Sequence, residues 1–123
     1  MTTWTSDELD RIGGADELEI APVRDDGTLR KPVTIWVVRD GDDIYVRSVK
    51  GRISSWFRGV QVRHEAHIEA GGVDKDVRVV ETDEPSDTID AAYRAKYHRY
   101  EESIVGSVVT SNARAATLKL GPR

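Results

Sequence analysis

Five of the chain's 18 basic residues fall between Arg47 and His64, a stretch that holds none of its 22 acidic ones. Arg47, Ser48, Lys50, Ser54, Ser55, Trp56 and Arg58 stand close together there, with Gly51 among them. That is the set an anionic aromatic ligand needs. Guanidinium and ammonium groups donate to phosphate, serine hydroxyls and the free amides of a helix start add donors, a glycine admits close backbone approach, and an indole packs against a ring. Surface cations around a buried Trp56 would give the same pattern with no ligand, because runs of charge usually face water. Trp36 upstream and Tyr45 on the neighbouring strand are candidates either for walling a ring-binding cleft or for the core. Arg30 and Lys31 enter the strand of Trp36, with Asp25 and Asp26 close enough in sequence to neutralise them.

Other chemistries find little support. His64-Glu65-Ala66-His67 places its histidines three apart at a strand start, whereas a zincin pair stands four apart on a helix, so no metal is expected. The absence of cysteine removes disulfides, thiolate metal sites and cysteine nucleophiles. No glycine-rich phosphate loop, serine-hydrolase elbow or paired-carboxylate motif stands out. Outside the cationic stretch the chain carries 13 basic against 22 acidic residues, within a net charge of -4, which argues against a nucleic-acid partner.

The elements that must position these residues can be traced in order. Thr5 and Glu8 have capping-box spacing, flanked by Trp4 and Leu9 as a hydrophobic staple, and predict a helix from about Ser6 to Ile12 ended by Gly13-Gly14. Leu18 and Ile20 alternate with Glu17 and Glu19 in a half-buried strand, and Asp25-Asp26-Gly27 marks a turn. The run 33–38 is β-branched and aromatic throughout, so it reads as one central strand, joined by Asp40-Gly41-Asp42-Asp43 to a second strand over 44–49 in which Arg47 and Ser48 point to opposite faces. The run Ser54-Ser55-Trp56-Phe57-Arg58 reads as one or two helical turns with a serine cap. A further hairpin runs from Ala66 through Gly71-Gly72 to Val80. Pro85 and Ser86 open the longest helix, on which Ile89, Tyr93, Tyr97 and Tyr100 form a core-facing stripe. A mobile loop over Ser107 to Ala113 and a last strand over Thr117 to Leu120 follow.

With 123 residues, 38% hydrophobic and 33% charged, the chain is expected to fold as one domain over residues 1–123. The order of elements predicts an α+β fold, mainly β, with flanking helices on an antiparallel sheet of about six strands, enough to curl and close into a six-stranded barrel. The N-terminus lacks the basic and apolar regions of a signal peptide, and no run approaches the roughly 18 apolar residues of a membrane helix, so a cytoplasmic protein with no membrane partner is expected.

Lys31 to Arg58, with Ala66 to Val80 and the helix around Tyr93 and Tyr97 behind them, is similar to domain-of-unknown-function family 2255, an uncharacterised bacterial family. Pro32-Val33-Thr34-Ile35-Trp36-Val37-Val38, Ile44-Tyr45-Val46-Arg47-Ser48, Gly51 and Ser55-Trp56-Phe57-Arg58 carry the resemblance. More distantly, the chain resembles split β-barrels of pyridoxamine phosphate oxidase type and the deazaflavin-dependent nitroreductases. That resemblance implies a flavin (FMN) or deazaflavin, often held at a homodimer interface. Its phosphate would be gripped by Arg47, Ser48, Lys50, Ser54, Ser55 and Arg58, with Trp56 and Trp36 near the ring. In one departure, Asp25 and Asp26 stand where the deazaflavin enzymes carry a basic, hydroxyl-rich stretch. Two functions follow as expectations: a flavin- or deazaflavin-dependent oxidoreductase acting on a small molecule, or a noncatalytic module on the same scaffold that binds a small anion or nucleotide.

Overall fold

The reciprocal capping box at the head of the chain forms as its spacing predicts. Thr5 Oγ1 accepts from the Glu8 N–H at 3.1 Å and Glu8 Oε1 accepts from the Thr5 N–H at 2.9 Å, starting α1 (Ser6–Gly14). In this computed structural model, which describes residues 3–82 and 86–123, α1 lays Leu9 and Ile12 across one end of a sheet. Pro85, expected to open the long helix, lies outside the described residues.

Among the described residues the sheet has seven antiparallel strands: β1 (Leu18–Pro22), β2 (Val33–Ile35), β3 (Val37–Asp40), β4 (Asp43–Arg47), β5 (Glu65–Ala70), β6 (Val73–Glu81) and β7 (Thr117–Pro122). Their order is β2-β1-β5-β6-β7-β4-β3. Seven strands replace the six expected because the run 33–38 divides at Trp36. Val33 to Ile35 pair with β1, whereas Val37 to Asp40 pair with β4. The expected central strand is therefore two edge strands. Only the second half of the run is buried on both sides, Val37 towards the barrel interior and Val38 towards the outer apolar layer, whereas Val33 and Thr34 of β2 are exposed.

Since β2 and β3 are the two ends of the strand order yet follow one another in sequence, the sheet curls back on itself into a nearly closed barrel, joined at the seam by the backbone of Trp36. Ile20, Val37, Val46, Ile68, Val77 and Leu118 fill its interior together with Trp56, Phe57 and Val60 from α2 (Ser55–Arg63). A second apolar layer lies outside the sheet. Val38 and Tyr45 pair across β3 and β4 and pack against Ile89, Tyr93 and Tyr97 of the stripe that starts on α3 (Ser86–Lys96), and against Val105 and Val108. The segment from Ser107 to Ala113, expected as a mobile loop, follows α4 (Glu102–Gly106) and is itself partly helical, entering α5 (Ser111–Arg114), which Thr110 caps. Among the described residues, no helix is long and apolar enough to cross a membrane.

The seam is held from outside. Tyr97 Oη accepts from the Val37 N–H at 3.1 Å and donates to the Asp16 carbonyl at 2.8 Å, while Lys96 Nζ donates to the Val37 carbonyl at 2.6 Å. These bonds satisfy backbone groups that lose their ladder partners where the chain changes neighbours.

Candidate functional site

A cavity of about 710 Å³ opens beside the seam. The stretch from Val33 to Trp36 forms one side, the chain from Arg47 to Lys50 with Ile53 and the start of α2 another, and Ile104, Ser107 and Val108 a third, with Glu17 also in the wall. Of the residues proposed from sequence, Trp36, Arg47, Ser48, Lys50, Ser54, Ser55 and Trp56 all line this one cavity, and Arg58 does not. Arg58 is exposed on α2.

Each arrives by a definite local device. After β4 the backbone turns at Gly51, whose φ of 75° suits a residue without Cβ, and enters a 3₁₀ turn over Gly51–Ile53. Ser54 then caps α2. Its Oγ accepts from the Phe57 N–H at 3.3 Å and lies 2.7 Å from Ser48 Oγ, so two hydroxyls sit together at the helix start. The first turn of the nine-residue α2 thereby presents its positive end and its first amides beside Ser55 and Lys50. Trp56 is only 7% exposed and shares its remaining surface with the cavity, while its ring meets Phe57 edge-on at 6.2 Å. Trp36 is half-buried, and one face of its indole is covered by Tyr97 in a parallel stack.

The cations that cluster in sequence separate in space. Arg47 is fully buried, with Nη1 paired to Asp90 and donating to the Val108 carbonyl at 2.9 Å, Nε donating to Thr117 Oγ1 at 2.9 Å, and the guanidinium 5.6 Å from the centre of the Tyr93 ring. Burial raises the Tyr93 hydroxyl well above its ordinary range, with the Arg47 charge acting the other way. Arg52 turns away to Glu81 at 2.6 Å, holding that carboxyl below its usual value, and Arg63 lies 3.8 Å from Glu65. Lys50 is left as the cation in the wall with no side-chain partner among the described residues. Arg30 donates to the Ser55 carbonyl at 3.4 Å, and neither it nor Lys31 lines the cavity. Asp26 is engaged with Thr28 inside its own turn, so the two acids of that turn stand outside the cavity wall. Tyr45 belongs to the outer apolar layer.

Sequence reasoning did not single out Glu17, Val33, Val49, Ile53, Ile104, Ser107 or Val108. Val33, Val49, Ile53 and Ile104 are exposed large apolar side chains around one opening, and Ile53 is 78% exposed. The spacing of Ile104 and Val108 is an amphipathic signal, but it does not separate a cavity wall from core. The two histidines of the 64–67 stretch part company: His64 ends α2 in the left-handed region, and His67 sits between Asp76, at 2.8 Å, and Asp74. Among the described residues, no cluster of histidine and carboxylate side chains could hold a metal ion.

Residues 8–120 match the model of a family described as an uncharacterized protein conserved in bacteria, DUF2255. No curated protein matches the chain. Among solved structures it is similar to the heme storage protein HutZ from Vibrio cholerae, at 15% identity and a TM-score of 0.62 over 89% of this chain and 82% of that one. It is similar to the conserved hypothetical protein Rv2991 from Mycobacterium tuberculosis, at 12% identity and 0.66 over 99% and 82%. A structure described as an F420 reductase matches at 13% identity and 0.57 over 93% and 92%. At such identities these likenesses establish the split-barrel fold.

Proposed function

The chain belongs to the DUF2255 family, and for it we propose a ligand-binding function in which the cavity beside Trp36 holds a planar aromatic cofactor of flavin or deazaflavin type. The observation that carries this is one wall in which a flat indole, backed by Tyr97, stands beside the donor-rich start of α2 and Lys50. The ring would lie against Trp36, with Trp56 and the apolar residues excluding water. The phosphate would be held by Lys50, Ser55, the Ser48–Ser54 hydroxyl pair and the α2 amides. Arg47 would act through position, by fixing β4 to α3 and to the chain at Val108. A bound flavin or deazaflavin would supply hydride transfer, making the protein an oxidoreductase for a small molecule.

The F420 reductase among the structural neighbours supports this choice of ring. Heme, as named for HutZ, fits the donor set less well. The described lining residues include no histidine, methionine, cysteine or tyrosine to ligate iron. The exposed apolar rim of Val33, Val49, Ile53 and Ile104 suits burial against a second copy, and we place the cavity at a homodimer interface on that basis.

The test is the absorbance spectrum of protein purified from its own host, with analysis of the supernatant after denaturation. A flavin or deazaflavin spectrum is expected. Colourless protein that takes up neither FMN nor deazaflavin at micromolar concentration refutes the proposal. The donor set at the start of α2 equally suits a noncatalytic module for a small anion. Thermal stabilisation by inorganic phosphate but not by either cofactor would favour that alternative.

A further inference from the structure

The wall of the cavity contains three charged residues, Glu17, Arg47 and Lys50. Arg47 is spent on Asp90, Thr117 and Val108. Glu17 and Lys50 have no side-chain hydrogen bond or ion pair among the described residues, so the protein leaves one charge of each sign open to this space. Both are exposed.

The strand register sets their relative place. Leu18 pairs with Ile35, so the next position along the same antiparallel ladder brings Glu17 towards Trp36 from the β1 side. Val37 pairs with Val46, so continuing that ladder brings Arg47 towards Trp36 from the β4 side, and Lys50 follows beyond it. Glu17 therefore lies one residue before β1 and Lys50 three residues beyond β4, on chain segments that reach the cavity from the two sides of Trp36, with the start of α2 on the ammonium side. A ligand whose only polar group is an anion gains at one flank and meets an uncompensated carboxylate at the other.

We propose that the ligand of this cavity is bipolar: an aromatic body lying on Trp36, a phosphate or carboxylate at the Lys50 end, and a hydrogen-bond donor, a protonated amine or an acidic ring N–H, at the Glu17 end. The inference rests on the aromatic-anion reading of the site and adds the chemistry of the second end. A flavin satisfies it, with a phosphate on its ribityl chain and an imide N–H at the far edge of its ring. A simple aryl phosphate does not.

Three biphenyl probes separate the cases: biphenyl-4-yl phosphate, biphenyl-4-ylmethylamine, and the compound with phosphate on one ring and aminomethyl on the other. Their dissociation constants come from NMR titration of the full chain and of Glu17→Gln and Lys50→Gln, each first checked for an unchanged melting temperature. On the natural chain the bipolar probe should bind about tenfold more tightly than the phosphate alone, the scale of one charge-assisted hydrogen bond. Glu17→Gln should erase that advantage without weakening the simple phosphate, and Lys50→Gln should weaken both phosphates. Equal binding of the two phosphates to the natural chain, or a bipolar advantage that survives Glu17→Gln, overturns this inference while leaving the aromatic-anion site standing. If none of the three probes binds, the site reading falls and this inference falls with it.

Discussion

Trp36 and Tyr97 lie face to face, with ring centroids 3.9 Å apart and planes 4° from parallel. The contact joins the chain segment following α3 to the point where the extended chain changes neighbours, and the Tyr97 hydroxyl secures the backbone on either side of it, at Val37 and Asp16. Tyr97→Phe keeps the stack and leaves the Val37 N–H without its partner, which should cost about 1–3 kcal/mol. Tyr97→Ala removes the ring as well and should cost about 3–5 kcal/mol. Urea unfolding measures both. A Phe variant as stable as the natural chain would mean that the hydroxyl does not hold the seam.

Lys50 and Arg58 look equivalent in sequence, yet only Lys50 lines the cavity. Lys50→Ala should weaken binding of FMN about tenfold, the worth of one hydrogen bond from a charged group, whereas Arg58→Ala should leave it unchanged. Titration followed by flavin fluorescence gives both constants. Equal losses in the two variants would move the anion site off the start of α2.

Arg47 faces the cavity but is committed to its own scaffold. Arg47→Met strands the Asp90 carboxylate and should destabilise the fold by about 3 kcal/mol. That is the low end for a broken buried pair, because Asp90 is 19% exposed and keeps Arg114 at 3.2 Å. Arg47→Met combined with Asp90→Leu should recover most of the loss. A single variant with full stability but reduced ligand affinity would instead put Arg47 in direct contact with ligand.

Two groups give stability a pH dependence of opposite sign. Burial lowers the Lys96 ammonium from 10.5 to about 8, so the unfolded chain binds more protons between those values and stability should rise with pH across that window. Lys96→Met should flatten the rise. The hydrogen bond to Asp76, with burial opposing it and Asp74 assisting, raises His67 above 6.5. Its contribution is complete below the unfolded value and is lost as pH climbs through the folded one, a loss that His67→Asn should abolish. Melting temperatures from pH 5 to 10 test both signs.

Gly71 and Gly41 both have positive φ, at 58° and 63°. A Cβ at Gly71 would overlap the Arg11 carbonyl oxygen and stand 2.7 Å from its carbon, where α1 presses on the β5–β6 turn, whereas a Cβ at Gly41 meets nothing within 4 Å. Gly71→Ala should therefore cost at least about 3 kcal/mol and Gly41→Ala only about 1–2 kcal/mol, the left-handed penalty alone. Calorimetry on the two variants resolves the difference, and equal costs would contradict the close approach.

Local chemistry was legible where it acts locally. Thr5 with Glu8, Ser54 ahead of its helix, the Gly71-Gly72 turn and the stripe from Ile89 to Tyr97 all read true, because capping and periodicity need only near neighbours. The grouping of Trp36 with Ser48, Lys50, Ser54, Ser55 and Trp56 at one cavity was also within reach, since most of these residues share one turn of chain. What could not be read depends on distant partners. Nothing near Arg47 in sequence announces Asp90, 43 residues away, so a structural cation and an open one looked alike. The division of 33–38 at Trp36 likewise depends on Tyr97 and Lys96, and Glu17 enters the cavity wall only through the pairing of β1 with β2.

At Trp36 the two ends of the sheet meet through one covalent chain and, among the described residues, through no rung of inter-strand hydrogen bonds. Parting them there would sacrifice side-chain contacts but leave every ladder intact. The seam beside the cavity is thus a line along which the cylinder can gape while its ladders stay zipped.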